Sequence, residues 1–172
     1  LRLARNVRRN LRAFNNNKMF FSKKIVSKKS NLCDGIGIFA KERIYKGEKL
    51  LEFIGEIKIG SGNDYTLQID TNKHLGRSGY LDDFVNHSCL PNCYIRFRDI
   101  SLVSLTNISV GEELSFHYCT TEYDLGKFSF QCICGSQNCL GQVGGYKYLS
   151  ESNRQQMSKF LFPHLKMLAN IA

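Results

Sequence analysis

The sequence has no tryptophan, only two prolines in 172 residues, and no acidic residue before Asp34. No apolar run approaches the roughly 20 residues that a membrane-spanning helix requires, which excludes such a span. No internal repeat is visible, so nothing points to a stacked-repeat architecture. A disulfide framework fits poorly. Seven cysteines make an odd set, and three of them crowd at positions 132, 134 and 139, too close together to staple distant parts of a chain. Thiols placed like that suit a metal ion in a reducing compartment. What is present is 42% apolar residues, enough for one domain with its own core.

Charge is unevenly spread. Of 24 Lys and Arg, ten lie in residues 1–30, leaving 14 to set against 15 acids in a nearly neutral remainder. Residues 1–30 therefore read as a basic arm, flexible or helical, able to meet nucleic acid or another polyanion through a salt-dependent Coulombic attraction. Leu1, Ala4, Val7, Leu11 and Phe14 recur at helical spacing among Arg2, Arg5, Arg8, Arg9 and Arg12. That pattern also suits an organellar targeting segment, or a solvated helix with no fixed partner. Nucleus or cytoplasm is the expected compartment, with organelle import kept open by the arm.

Beyond Ser30, short apolar–polar alternations with glycine punctuation predict strands over Ile36–Ala40, Leu50–Ile57, Tyr65–Asp70, Tyr94–Phe97, Ser101–Thr106 and Leu114–Tyr118. Turns are predicted at Lys46-Gly47, at 60–63 and at Val110-Gly111. After Ser150 the period changes. Met157, Phe160 and Leu161, then Leu165 and Leu168, predict two short helices separated at Pro163. The fold class is β-rich α+β.

Two stretches carry chemistry. Asn86–Cys93 reads NHSCLPNC, an amide, an imidazole and two thiols in eight residues, a density of polar groups that a buried strand could satisfy only one by one. Cys132, Cys134 and Cys139 form a C-x-C-x4-C cluster in which Gly135 lets the chain turn back on one ion. Three thiolates are one short of the four that close a structural zinc site. Cys89 is the most economical fourth ligand, with Cys33, Cys93, Cys119, His87 and His117 as rivals.

Taken in order, Gly35-Ile36-Gly37 with Phe39-Ala40, the FIGE run at Phe53–Glu56, Asp64-Tyr65, Asn86–Asn92, Gly111–Leu114 leading to Tyr118, and the cysteine cluster resemble a SET-domain protein lysine methyltransferase with a post-SET zinc-binding segment. The resemblance covers about residues 32–142. It implies a SET (β-clip) fold with a pseudoknot of short strands at 31–127, a zinc-bound post-SET segment at 128–145 and a helical extension at 146–172. It implies S-adenosylmethionine and Zn2+ as cofactors. Gly35, Ile36, Gly37, Phe39, Tyr65, Asn86, His87, Tyr118 and Tyr123 would contact S-adenosylmethionine. Phe128 and Phe130 compete with Tyr123 for the place over the adenine. Cys89, Cys132, Cys134 and Cys139 would hold the zinc, and Tyr118, Phe116 and Phe53 would shape the reacting end of the lysine channel.

The chemistry implied is in-line displacement of a sulfonium methyl by a neutral lysine nitrogen, in which alignment does most of the work. Most relatives have tyrosine where Phe53 stands, and Phe116 holds the position that decides how many methyl groups fit. Phenylalanine at both places points to a di- or trimethylating enzyme acting on a histone or other basic protein, as a monomer. Asp83 stands where relatives commonly place arginine, and His117 replaces a common aspartate. Two alternatives remain at this stage, a catalytically weak zinc-organised peptide-binding module and a basic nucleic-acid-binding protein.

Overall fold

A computed structural model describes residues 19–63 and 65–170. The helical reading of the arm's first 18 residues lies outside the described part. Twelve short strands form four small sheets among these residues. The sheet that bears on the site has the order β1-β2-β10-β7. Here β1 (Ile25–Lys29) lies antiparallel to β2 (Ile36–Ala40), and β2 antiparallel to β10 (Glu113–Phe116). The two-residue strand β7 (Asn86–His87) runs parallel to β10, with Asn86 opposite Ser115 and His87 opposite Phe116.

This first sheet takes in residues that the charge pattern assigned to the arm. Ile25 is buried and pairs with Ala40, while Lys28 and Lys29 face water on the outer edge. An edge strand tolerates lysines because its outer face is hydrated, so the run of basic residues hides a strand.

A second sheet, β3-β9-β8, joins Lys49–Glu52, Ser101–Ser104 and Cys93–Arg96. A third, β4-β6-β5, joins Ile57–Ile59, Lys73–Leu75 and Leu67–Asp70. The expected strand over 50–57 is therefore two strands. Gly55 explains the break: a Cβ there would overlap the carbonyl oxygen of Gly76, and Gly76 in turn donates its N–H to Glu56 O at 2.8 Å. Two backbones meet at that point, and only glycine permits it. A pair of two-residue strands, β11 (Phe130–Gln131) and β12 (Gln142–Val143), completes the set.

The main core gathers Ile38, Leu50, Leu51, Ile95, Leu102 and Leu114 from the sheets and Ile44 and Ile108 from an isolated bridge, all 2% exposed or less. Phe162, delivered from the C-terminal segment, is fully buried among them, its ring 5.1 Å from that of Phe97. A smaller core forms around Cys119, Val143, Tyr146 and Leu165. Both expected helices are present, α1 over Glu151–Met157 and α2 over Pro163–Ala169. Ser150 caps α1 by accepting from Asn153 N, and Pro163 opens α2, where its missing N–H is no loss. The C-terminal helices thus seal two cores at once. No helix among the described residues is long and apolar enough to cross a membrane.

Candidate active site and metal centre

The site is assembled where β7 meets β10. A carboxylate ties the pieces together: Glu113 Oε1 accepts from Ser30 Oγ at 2.7 Å and from Asn86 Nδ2 at 2.9 Å, and Oε2 accepts from Asn31 N at 2.7 Å. Asn86 Nδ2 also donates to Ile36 O at 2.9 Å. A Cβ on Gly37 would overlap this held carboxylate, which gives that glycine a structural reason of its own. Six residues downstream of Asn86, Asn92 Nδ2 donates to Glu113 O and its Oδ1 accepts from Ser115 N. The Asn86–Asn92 segment is therefore stitched to β10 at both of its ends.

This stitching sets His87 and Tyr118. His87 Nδ1 accepts from the Tyr118 backbone N–H at 3.1 Å, and its ring lies edge-on to His117 at 4.7 Å and to Tyr118 at 5.3 Å. Burial, with His117 beside it, holds His87 down at about 3, so the ring is neutral. The Tyr118 hydroxyl donates to Val85 O at 3.1 Å. Burial raises its pKa, with Cys33, Glu122 and Glu113 adding to the effect. Tyr118 is thus a neutral phenol whose proton is engaged and whose oxygen lone pairs are left to accept.

Beside Tyr118 runs a cavity of about 130 Å³. Phe53, Phe116, Tyr118 and Phe130 line it, with centroid distances of 6.0 Å from Phe53 to Phe116, 4.9 Å from Phe116 to Tyr118 and 5.9 Å from Tyr118 to Phe130. Tyr65 is half exposed in the same lining, under the Arg77 guanidinium at 4.8 Å. The cavity also carries three carboxyls, Asp82, Asp83 and Glu122. Asp82 accepts from Ile54 N and Ser78 Oγ, and burial raises its pKa. Asp83 accepts from Ser78 N and Gly79 N and pairs with Arg77, so this departure from the expected arginine closes a turn. An aromatic tube with acidic walls suits a cationic, flexible aliphatic chain.

On the other side of His87 the four sulfurs of Cys89, Cys132, Cys134 and Cys139 lie within 4.8 Å of one another. Cys89 Sγ is 3.8 Å from Cys132 Sγ and 4.0 Å from Cys139 Sγ. A tetrahedral ion with metal–sulfur bonds of about 2.3 Å sets its sulfurs about 3.8 Å apart, so the spacing is that of a closed four-thiolate site. Burial pushes the Cys89 thiol up and the Cys132 thiol up to about 11. Only a cation at the centre would compensate four clustered thiolates. Leu140 N donates to Cys89 Sγ at 3.4 Å, Gly141 N to Cys139 Sγ at 3.5 Å, and His87 Nε2 faces Cys89 Sγ at 3.3 Å. These are the outer contacts that orient metal-binding sulfurs. The residues present fit a metal ion.

The remaining candidates fall as follows. Gly35 and Ile36 lie at the start of β2, their carbonyls accepting from Ser30 N and Asn86 Nδ2. Phe39 lies in β2 opposite Glu113, with Lys28 Nζ 5.9 Å from its ring. Tyr123 points away from the channel, its hydroxyl donating to Leu168 O, whereas Phe128 and Phe130 line the cavity. Cys33, Cys93 and Cys119 lie outside the four-sulfur group. His117 falls in a second trio with His87 and Cys89, where its Nδ1 accepts from Cys119 N. Glu122 carries no signal in the sequence. No spacing marks it, since it is four residues past Tyr118 in a stretch without periodicity.

The fold and site together define a class. Residues 35–119 match the SET domain family, and the chain carries a SET domain. Its relatives include the histone-lysine N-methyltransferase set-2 of Caenorhabditis elegans, 28% identical over 76% of this chain. Human histone-lysine N-methyltransferase SETD1B is 30% identical over 72% of it. The chain spans only 10% and 7% of those relatives' lengths. Among solved structures, KRYPTONITE in complex with mCHH DNA, H3(1-15) peptide and SAH matches with a TM-score of 0.58 and 23% identity, over 75% of this chain and 31% of that one. At that identity the likeness speaks for the fold.

Proposed function

We propose that this chain is an S-adenosylmethionine-dependent protein-lysine N-methyltransferase, acting on a histone tail or another basic protein, with a structural zinc at its four cysteines. The observation that carries the reading is the juxtaposition at Tyr118: an aromatic channel of lysine-side-chain character ends at a neutral phenol held by the Asn86–His87 strand. Relatives named histone-lysine N-methyltransferases, and a neighbour solved with SAH and a histone peptide, support it.

S-adenosylmethionine, when bound, supplies an electrophilic methyl on a sulfonium. The protein's own residues do the rest. Phe53, Phe116 and Val85 exclude water from the channel end, and a low-dielectric wall lowers the lysine pKa from its ordinary value of about 10.4. Tyr118 accepts from the amine with its free lone pairs, fixing the direction of attack. Phe at both 53 and 116 leaves the amine without a hydroxyl partner from those positions, which favours repeated methylation. The four thiolates would hold zinc and pin the 132–139 segment against Cys89, keeping Phe130 over the channel.

Incubation with methyl-labelled S-adenosylmethionine, mixed core histones and a peptide array, followed by product mass, tests the reading. Labelled di- or trimethyl-lysine is expected, and Tyr118→Phe should lower the rate by about 10²-fold. No label on any protein or peptide, or an unaffected Tyr118→Phe, would sink it.

A further inference from the structure

The channel is not the only cavity at this site. A second one, of about 840 Å³, lies against it and is lined by Gln68, His74, Tyr123, Asp124 and Lys127. Four described residues line both cavities: Asn63, Glu122, Leu125 and Phe128. Among them only Glu122 titrates. The residue is buried, only 8% exposed. The backbone is fixed, since Glu122 N donates to Tyr118 O at 2.9 Å and Glu122 O accepts from Tyr146 N at 2.9 Å. One carboxyl oxygen is occupied, with Oε1 accepting from Gln68 N at 2.7 Å and Thr121 Oγ1 at 3.4 Å. Oε2 has no hydrogen-bond partner among the described residues.

A buried carboxyl with one free oxygen, in the wall between an aromatic tube and a larger chamber that Gln68, His74, Asp124 and Lys127 help to line, needs an explanation. A leucine or phenylalanine there would seal the tube more cheaply. Lysine arrives at neutral pH as an ammonium and must lose a proton before it can attack. We propose that Glu122 is the proton exit of this channel, taking a proton from the incoming lysine ammonium and releasing it into the second cavity. The inference rests on the lysine methyltransferase reading.

The step balances. The ammonium N–H bond breaks and its electron pair stays on nitrogen, giving a neutral amine, while Glu122 Oε2 gains the proton and becomes a carboxylic acid. The acid then returns the proton to water in the second cavity. Each methylated amine that re-enters the cycle as an ammonium needs the same exit, so the device serves every round. Burial raises Glu122 to about 7 against the hydrogen bonds from Gln68 and Thr121, which poises it between the two forms near neutrality. The groups around it are Tyr118, Asp82 and Asp83 on the channel side and His74, Asp124 and Lys127 on the other. Cys119 and, through Thr121 O, His164 lie behind. Burial lowers His74 and His164, so both are neutral near pH 7 and leave Glu122 as the group that changes charge.

The test compares the full chain with Glu122→Gln, which keeps shape and loses the base, in single-turnover methyl transfer to core histones from about pH 6 to about pH 10. At about pH 7.5 the variant should be slower by about 10²-fold. The gap should close to about threefold near pH 10, where solution supplies neutral lysine. Equal rates at every pH, or one constant factor at every pH, would overturn the proposal, the latter because a purely structural role gives no pH signature. Calorimetric binding of n-butylammonium gives a readout without turnover. Wild-type affinity should rise about tenfold between about pH 6 and about pH 8 as the carboxylate ionises, and Glu122→Gln should show no rise. Flat binding in both proteins overturns the proposal even where wild type methylates. Wild type that binds n-butylammonium with this pH dependence yet labels nothing would keep Glu122 as a titrating cation-binding carboxylate and overturn the methyltransferase reading, and with it the proton-exit role.

Discussion

The sulfur cluster and the channel stand on either side of His87 and are held together in opposite ways. The cluster takes three of its four members from the eight residues 132–139 and brings in Cys89 from β7's end. Its surroundings include the small core of Cys119, Val143, Tyr146 and Leu165. The channel gathers Phe53, Val85 and Phe116 from distant segments, and all three belong to the main core. One has the spacing of a four-thiolate metal site, which a cation would hold together; the other is organised by apolar burial. It follows that the two halves should fail separately.

Metal removal is the largest break in that comparison. Cys132→Ser or a strong chelator should release the 128–145 segment and abolish methyl transfer, since Phe128 and Phe130 line the channel from that segment. The main core should survive, shown by amide exchange that stays slow over β2, β3, β9 and β10 while the 128–145 amides exchange fast. Uniform loss of protection would mean that the cluster supports the whole fold.

Next in size is the backbone contact of Gly55 with Gly76. Because the obstructing atom is a carbonyl oxygen rather than a side chain, Gly55→Ala should lower stability by about 3 kcal/mol or more, read from denaturant midpoints. The loss should fall on the channel side and leave metal affinity intact.

Glu122 sharpens the contrast through pH. Its ordinary value of 4.5 is raised to about 7 on folding, so between those values the folded state holds a proton that the unfolded state has released. Stability from this group is therefore full below about pH 4.5 and is lost as pH rises to about 7, by roughly 3 kcal/mol. Glu122→Gln should remove that slope, making the variant the more stable protein at pH 8 and the two alike at pH 4. A wild type whose stability does not decline across this window would contradict the buried, free carboxyl.

What could be read beforehand divides along the same line. The cluster was legible because metal chemistry restricts residue type and spacing locally, as C-x-C-x4-C shows. The β-rich class was legible from alternation, and α2 from Pro163. Strand β1 was hidden by Lys28 and Lys29, whose charge says arm and whose hydrogen bonds say edge. Asn86 and Gly37 stood out as motif members, but their shared dependence on the Glu113 carboxylate could not be seen without the register that sets β10 beside β2 and β7. Glu122 was illegible for a plainer reason. A glutamate is ordinary in a sequence and unusual only once its burial is known.

The smallest effect belongs to the channel mouth. Asp83 and Arg77 form an ion pair at 3.1 Å, but the two partners are unequally placed: the Arg77 side chain is 53% exposed and that of Asp83 only 4%. The guanidinium is solvated and its attraction screened, so Arg77→Ala should cost about 0.5 kcal/mol. The carboxylate also accepts from the backbone N–H groups of Ser78 and Gly79. Removing it strands those donors, so Asp83→Ala should cost about 2 kcal/mol. A double-mutant cycle on thermal stability separates the two contributions. Coupling near 0.5 kcal/mol means that Asp83 serves the turn first and the pair second, while coupling as large as the Asp83→Ala loss itself would assign the aspartate to the pair alone.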